Sequence, residues 1–79
     1  MEILDVGYKN YIAANKITAV LCADVVLVKK LVKVAKEENR YIDATRSRKT
    51  RSVIVTSDNF LIGVAFDPAV IRDRLRDEY

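Results

Sequence analysis

The sequence predicts an α+β domain, a small and mostly antiparallel sheet with one central helix and a C-terminal helix. Three observations carry that expectation. Between Val25 and Asn39 the apolar residues recur at intervals of three and four, as one face of a helix requires. Ser52–Thr56 and Phe60–Phe66 are dense in β-branched and aromatic residues, and the Asp58-Asn59 pair between them tolerates the positive φ of a tight turn. Asp67-Pro68 then opens a second helix, with Asp as cap and Pro at the first helical position, where its missing N–H is not needed. The order strands, helix, strands, helix fits segregated layers.

The elements follow in order. Glu2–Val6 reads as a short strand ended by Gly7, Tyr11–Asn15 is ambiguous, and Ile17–Cys22 reads as a second strand. Asp24 fits as the N-cap of a helix running to Asn39, its carboxylate accepting from the free amides of the first turn. On a helical projection Val25, Leu27, Val28, Leu31, Val32, Val34 and Ala35 cover half the circumference. That is wider than the ~100° stripe of an ordinary surface helix. The helix therefore needs two apolar partners, its own sheet and a neighbouring subunit. Lys29, Lys33 and Lys36 share the opposite face with Lys30 at its edge, and read as a solvated face. Tyr41–Ala44 is a third strand, and Phe60–Phe66, apolar on both faces, belongs in the middle of the sheet. From Arg72 to Glu78 the charges alternate in sign, as on a solvated or salt-bridged helix face.

With 79 residues the chain is expected to form one domain, residues 1–79. A hydrophobic fraction of 51% is generous for that length and points to burial between subunits, hence a homo-oligomer. The single cysteine, Cys22, has no internal disulfide partner and reads as a small buried hydrophobe. No signal-peptide pattern or membrane-length apolar run is evident, so a cytoplasmic protein without a membrane partner is expected.

Catalysis has few tools here. The chain has no histidine, its cysteine has no imidazole to activate it, and neither Gly7 nor Gly63 lies in a phosphate-cradling pattern. A non-enzymatic protein is expected, with no cofactor, metal site or small-molecule substrate. Binding has more material. Lys plus Arg number 14 against 11 Asp plus Glu, and from Arg40 to Arg51 five basic residues stand against Asp43 alone, a local charge of +4. Arg46, Arg48, Lys49 and Arg51 leave one strand and enter the next on a hairpin-like loop, with the Thr45, Ser47 and Thr50 hydroxyls beside them. Guanidinium suits bidentate contacts to phosphate or guanine, and ammonium suits phosphate. Charge alone points to a polyanion, either nucleic acid or an acidic protein bound by an oligomeric scaffold, and leaves DNA and RNA both open.

One loop alone is a weak ligand. Each phosphate neutralised adds only about −0.9 to the slope of log K against log salt. Several subunits presenting the loop together raise avidity by roughly 10²–10⁴. Asp43 has two readings: it orients Arg48 or Arg51, or it caps the turn through backbone amides. Tyr8, Tyr11 and Tyr41 are not interleaved with the basic residues and read as packing aromatics rather than base-stacking ones.

The chain resembles the RemA-like regulators of extracellular-matrix (biofilm) genes in bacteria. The likeness runs from Val6-Gly7-Tyr8 and Ala14-Asn15-Lys16, through Tyr41-Ile42-Asp43-Ala44-Thr45 and Arg48-Lys49-Thr50-Arg51, to Asp67-Pro68 and the last helix. The resemblance implies a nucleoid-associated DNA-binding transcriptional regulator that assembles into rings and presents basic loops around them. The family's adjacent arginines fall on Arg48 and Lys49, and another falls on Lys16. Together with Arg46 and Arg51 these form the expected DNA-binding set. Both departures exchange Arg for Lys, which keeps charge and loses bidentate geometry. The family glycine before the arginine pair is Ser47 here, so a loop needing positive φ is expected to differ.

Overall fold

The structure, a computed structural model, describes residues 3–78. Its elements are β1 (Ile3–Gly7), β2 (Asn10–Ala13), a 3-10 turn (Ala14–Lys16), β3 (Ile17–Cys22), α1 (Val26–Glu37), β4 (Tyr41–Asp43), β5 (Ser52–Thr56), β6 (Leu61–Val64) and α2 (Pro68–Glu78). The α+β class holds. The strands nevertheless divide into two sheets, a β1–β2 hairpin and a four-stranded sheet of order β3-β5-β6-β4. Pairing is antiparallel except between β4 and β6, which run parallel, and β6 is an inner strand as its apolar composition demands.

The four-stranded sheet is the middle of three layers because successive side chains of β5 and β6 point to opposite faces. Val53 and Leu61 meet Val28 and Ala35 of α1 on one face. Ile54, Ile62 and Val64 meet Leu4 and Val6 of β1 and Ile71 of α2 on the other. Two small cores thus share one sheet. Val53, Ile54 and Val64 are wholly buried between them.

Helix α1 ends as its sequence suggests but does not begin so. Val25, extended at φ −75° and ψ 131°, is the N-cap and offers no side-chain bond, while Asp24, the expected cap, lies in the preceding turn. The tight exit from β3 decides this: Ala23 N donates to Arg51 O at 3.1 Å and Val25 N to Cys22 O at 3.4 Å, which moves the cap one residue on. At the other end Arg40 N donates to Ala35 O and Asn39 N to Lys36 O, with Asn39 at φ 59°. This is a Schellman motif with Asn in the left-handed position.

The wide apolar face of α1 is only half used. Val28 and Ala35 are buried and Val32 partly so, whereas Leu27 and Leu31 remain 62% and 50% exposed, flanked by exposed Val26 and Val34. Cys22 also departs from expectation: it ends the edge strand β3 and is exposed rather than buried.

The β1–β2 hairpin turns through Tyr8 (φ 56°) and Lys9 (φ 65°), the sign pattern of a type I′ turn, with Gly7 at φ 99° beside a register shift. The ambiguous Tyr11–Asn15 segment divides between the end of β2 and the 3-10 turn. Glu2, expected in β1, lies outside the described residues. In α2, Pro68 is the first helical residue, and Asp67 O accepts from Val70 N and Ile71 N. Arg72 pairs with Asp73 at 3.1 Å and Arg74 reaches back to Asp5 at 3.8 Å. The charges expected to continue the pattern at Asp77 and Glu78 lie outside the described side chains. Among the described residues no helix is long and apolar enough to cross a membrane.

Candidate functional site

The basic segment is an arch, not a hairpin loop. Because β6 lies between β4 and β5 in the sheet, residues 44–51 must pass over the C-terminal end of β6 to join them. Each foot is tied to that strand: Ala44 N donates to Gly63 O at 2.8 Å and Arg51 N to Val64 O at 2.9 Å. Between the feet, Asp43 Oδ1 accepts from Thr45 N at 2.9 Å and from Thr45 Oγ1 at 2.6 Å. Arg48 N donates to Thr45 O at 3.1 Å, closing a turn whose central residues Arg46 and Ser47 have φ of 53° and 68°. Ser47 therefore keeps the positive φ that its side chain was expected to prevent. Ala44, Thr45 and Ser52 are buried under the arch, and Arg46, Ser47, Arg48, Lys49 and Arg51 are exposed along it.

Asp43 is a turn-capping residue. Its carboxylate is held below the ordinary range first by the Thr45 hydroxyl, then by the Thr45 amide and the nearby Lys36 charge. The bond to Arg48 or Arg51 entertained for it is not among the ion pairs of the described residues, which join Arg40 to Glu38, Arg72 to Asp73 and Arg74 to Asp5.

The arch sorts its cations by direction. The Arg48 guanidinium stands 6.0 Å from the centroid of the Tyr8 ring, toward the β1–β2 turn. Lys49 instead lines a cleft beneath α1. Adjacent in sequence, the two diverge. Lys16 joins neither: Ile17 pairs with Thr56 and Cys22 with Ser52, so Lys16 lies at the end of β3 away from the arch. Five strand residues put the two ends about 17 Å apart.

The α1 lysines are exposed, as a solvated face requires, and three of them also line a cleft of about 500 Å³. Lys29, Lys33 and Lys36 line one side, Lys49 and Thr50 the other, and Val32, Val53 and Tyr41 lie between. Tyr41 is half-buried, with Lys36 Nζ 5.0 Å from its ring centroid. Burial pushes the phenol above its ordinary value, and the Asp43 carboxylate adds to that while the Thr50 hydroxyl opposes it. The tyrosines thus part company: Tyr41 packs, Tyr11 is 62% exposed, and Tyr8 meets a cation. Sequence reading missed the Tyr8–Arg48 and Lys36–Tyr41 contacts, since neither pair is at a spacing that local structure would bring together. Among the described residues no group of three or more His, Cys, Asp or Glu is placed to hold a metal ion.

Comparison with known proteins supplies context for this geometry. The family model for RemA-like, extracellular matrix regulatory protein A-like proteins matches residues 3–75. A protein of Coprothermobacter proteolyticus is 33% identical over 75 residues, covering 95% of this chain and 71% of the relative. Proteins of Bacillus cytotoxicus and Bacillus mycoides are each 36% identical over 78 residues, covering 99% of this chain and 90% of theirs. All three carry the name "Putative regulatory protein". With the family model matched from β1 into α2, and relatives of this identity aligned nearly end to end, the chain belongs to the RemA-like family.

Proposed function

We propose that the protein is a non-enzymatic, cytoplasmic, nucleoid-associated regulator that binds double-stranded DNA as a ring-like homo-oligomer and controls extracellular-matrix genes. The observation that carries this reading is the arch: four cations on six residues, tied at both feet to β6 and turned by Asp43 and Thr45. A fixed loop loses less conformational freedom on meeting phosphates than a mobile one. Arg48, Lys49 and Arg51 are the main phosphate contacts, and Arg46 supports them. Lys16, at the far end of β3, contacts a separate stretch of duplex or one engaged by a neighbouring subunit.

The exposed Leu27, Leu31 and Val34 of α1 support assembly, because helical spacing puts them in one apolar stripe that the chain's own sheet leaves uncovered. A ring needs two different complementary patches per subunit. The exposed Ile3 and Tyr11 of the β1–β2 hairpin offer a second one. The family membership and the regulatory names of the relatives support the transcriptional role.

The test is fluorescence anisotropy of a labelled duplex across a salt series, with oligomer mass measured in parallel. Wild-type protein binds with a steep salt slope, and Arg48→Ala/Lys49→Ala lowers that slope by about 1.8 for each arch engaged, at unchanged mass. Leu27→Glu/Leu31→Glu reduces the mass to the 9.0 kDa of a single chain and removes the avidity. Intact rings with no affinity for duplex would discard the DNA reading, and preference for single-stranded RNA in competition would replace it.

A further inference from the structure

We propose that the cleft between α1 and the arch is a binding site for a small polyphosphorylated molecule, the size of a nucleoside di- or triphosphate, whose phosphates sit among Lys29, Lys33, Lys36 and Lys49. The four lysines come from two parts of the chain, α1 and the arch, and line one space. Lys29, Lys33 and Lys36, at i, i+4 and i+7, share a helix face, and Lys49 meets them from the arch. The only carboxylate in the lining is Asp24, so four positive charges less one negative leave the cleft at +3. None of the four lysines belongs to an ion pair within 4.0 Å among the described residues. Asp43, the other acid near Lys36, already has its Oδ1 engaged by Thr45.

The shape selects a small ligand over a duplex. The space is about 500 Å³, within the roughly 300–1,000 Å³ of small-molecule sites, whereas DNA phosphates are assigned above to the exposed cations along the arch. Its floor is apolar, formed by Val32, Val53 and the Tyr41 ring. That floor suits the non-phosphate body of the ligand, and the lysines suit its phosphates as point charges. Occupancy also engages Lys49, a residue assigned above to DNA. This coupling rests on the proposed DNA reading, whereas the binding site itself does not.

Isothermal titration calorimetry of the full chain with ATP and with pyrophosphate tests the site without DNA. Both bind at one site per chain, ATP about tenfold tighter because the apolar floor adds to the lysine contacts. Lys29→Gln/Lys33→Gln weakens both at least tenfold, with oligomer mass and melting temperature unchanged, and Lys29→Arg/Lys33→Arg retains them. Chemical-shift changes on titrating ATP centre on Tyr41 and Val53. Absence of heat with either probe, binding untouched by the glutamine pair, or equal displacement by sulfate at matched ionic strength would overturn the proposal. Loss of duplex affinity in the glutamine pair without any pyrophosphate binding would overturn it too, assigning the lysines to DNA. DNA affinity that falls on adding ATP to wild type, but not to the glutamine pair, supports the coupling.

Discussion

Replacing Gly63 with alanine tests how the arch and the α1 face are fitted together. A Cβ at Gly63 would lie 2.9 Å from Tyr41 Cζ, closer still to its hydroxyl, and 3.3 Å from Thr50 Cγ2. The tyrosine of β4 lies flat across β6 only because position 63 has no side chain. Forcing the ring aside is an overpacking event of about 1–3 kcal/mol. Against it stands a gain of about 0.5–1 kcal/mol from removing a glycine from a strand interior. The net expectation is a loss of about 1–2 kcal/mol. In a chain of 79 residues that lowers the melting temperature by roughly 5–15 °C. Thermal and urea denaturation followed by circular dichroism measure it. Tyr41→Phe supplies the control, since deleting the hydroxyl removes the closest contact. In that background Gly63→Ala should cost at least about 1 kcal/mol less, a coupling expected only of residues that touch. Equal cost in both backgrounds, or stabilisation by Gly63→Ala alone, would refute the packing argument.

Two further changes address the turn inside the arch. Ser47→Gly relieves a left-handed residue of about 1–2 kcal/mol and adds about 0.4–1 kcal/mol of unfolded-state freedom, so a gain of roughly 0.5–1 kcal/mol in urea denaturation is expected. Asp43→Asn keeps an acceptor for Thr45 but loses the charge, with an expected cost of about 0.5–1 kcal/mol at neutral pH. Because the folded carboxylate titrates below its unfolded value, its contribution is present above the unfolded value and fades as pH falls through the folded one. Wild type and Asp43→Asn should therefore converge in stability in acid, once the folded carboxylate is protonated.

Strong local patterns were legible in the chain. β3 and β5 fall where their β-branched runs lie, and Asp67-Pro68 marks the start of α2. The Tyr8-Lys9 turn was not legible because neither residue carries the Asn-Gly chemistry that usually signals positive φ in a hairpin. Asp24 resembles a cap in composition, but the backbone exit from β3 places Val25 there. Cys22 follows an apolar run yet ends an edge strand, a matter of strand order that composition does not encode. The same limit applies to the candidate site. The charge of residues 46–51 is evident by inspection. The divergence of Arg48 from Lys49, the remoteness of Lys16 and the cleft under the α1 lysines all depend on β4 pairing with β6 across some 20 intervening residues. Periodicity reports local structure and is silent on such pairings.

The passage of the arch over β6 has a consequence for how the molecule is made. Both carbonyls that tie its feet belong to Gly63 and Val64, which follow the arch in the chain. A ribosome adds about 5–20 residues per second. The cationic segment therefore leaves the ribosome before the strand that anchors it, and lacks both of these ties until the β5–β6 hairpin closes. Truncation before Gly63 keeps every basic residue of the arch and removes the two carbonyls that hold its feet. A stalled nascent chain ending there should bind nucleic acid by charge alone, with little distinction between one polyanion and another.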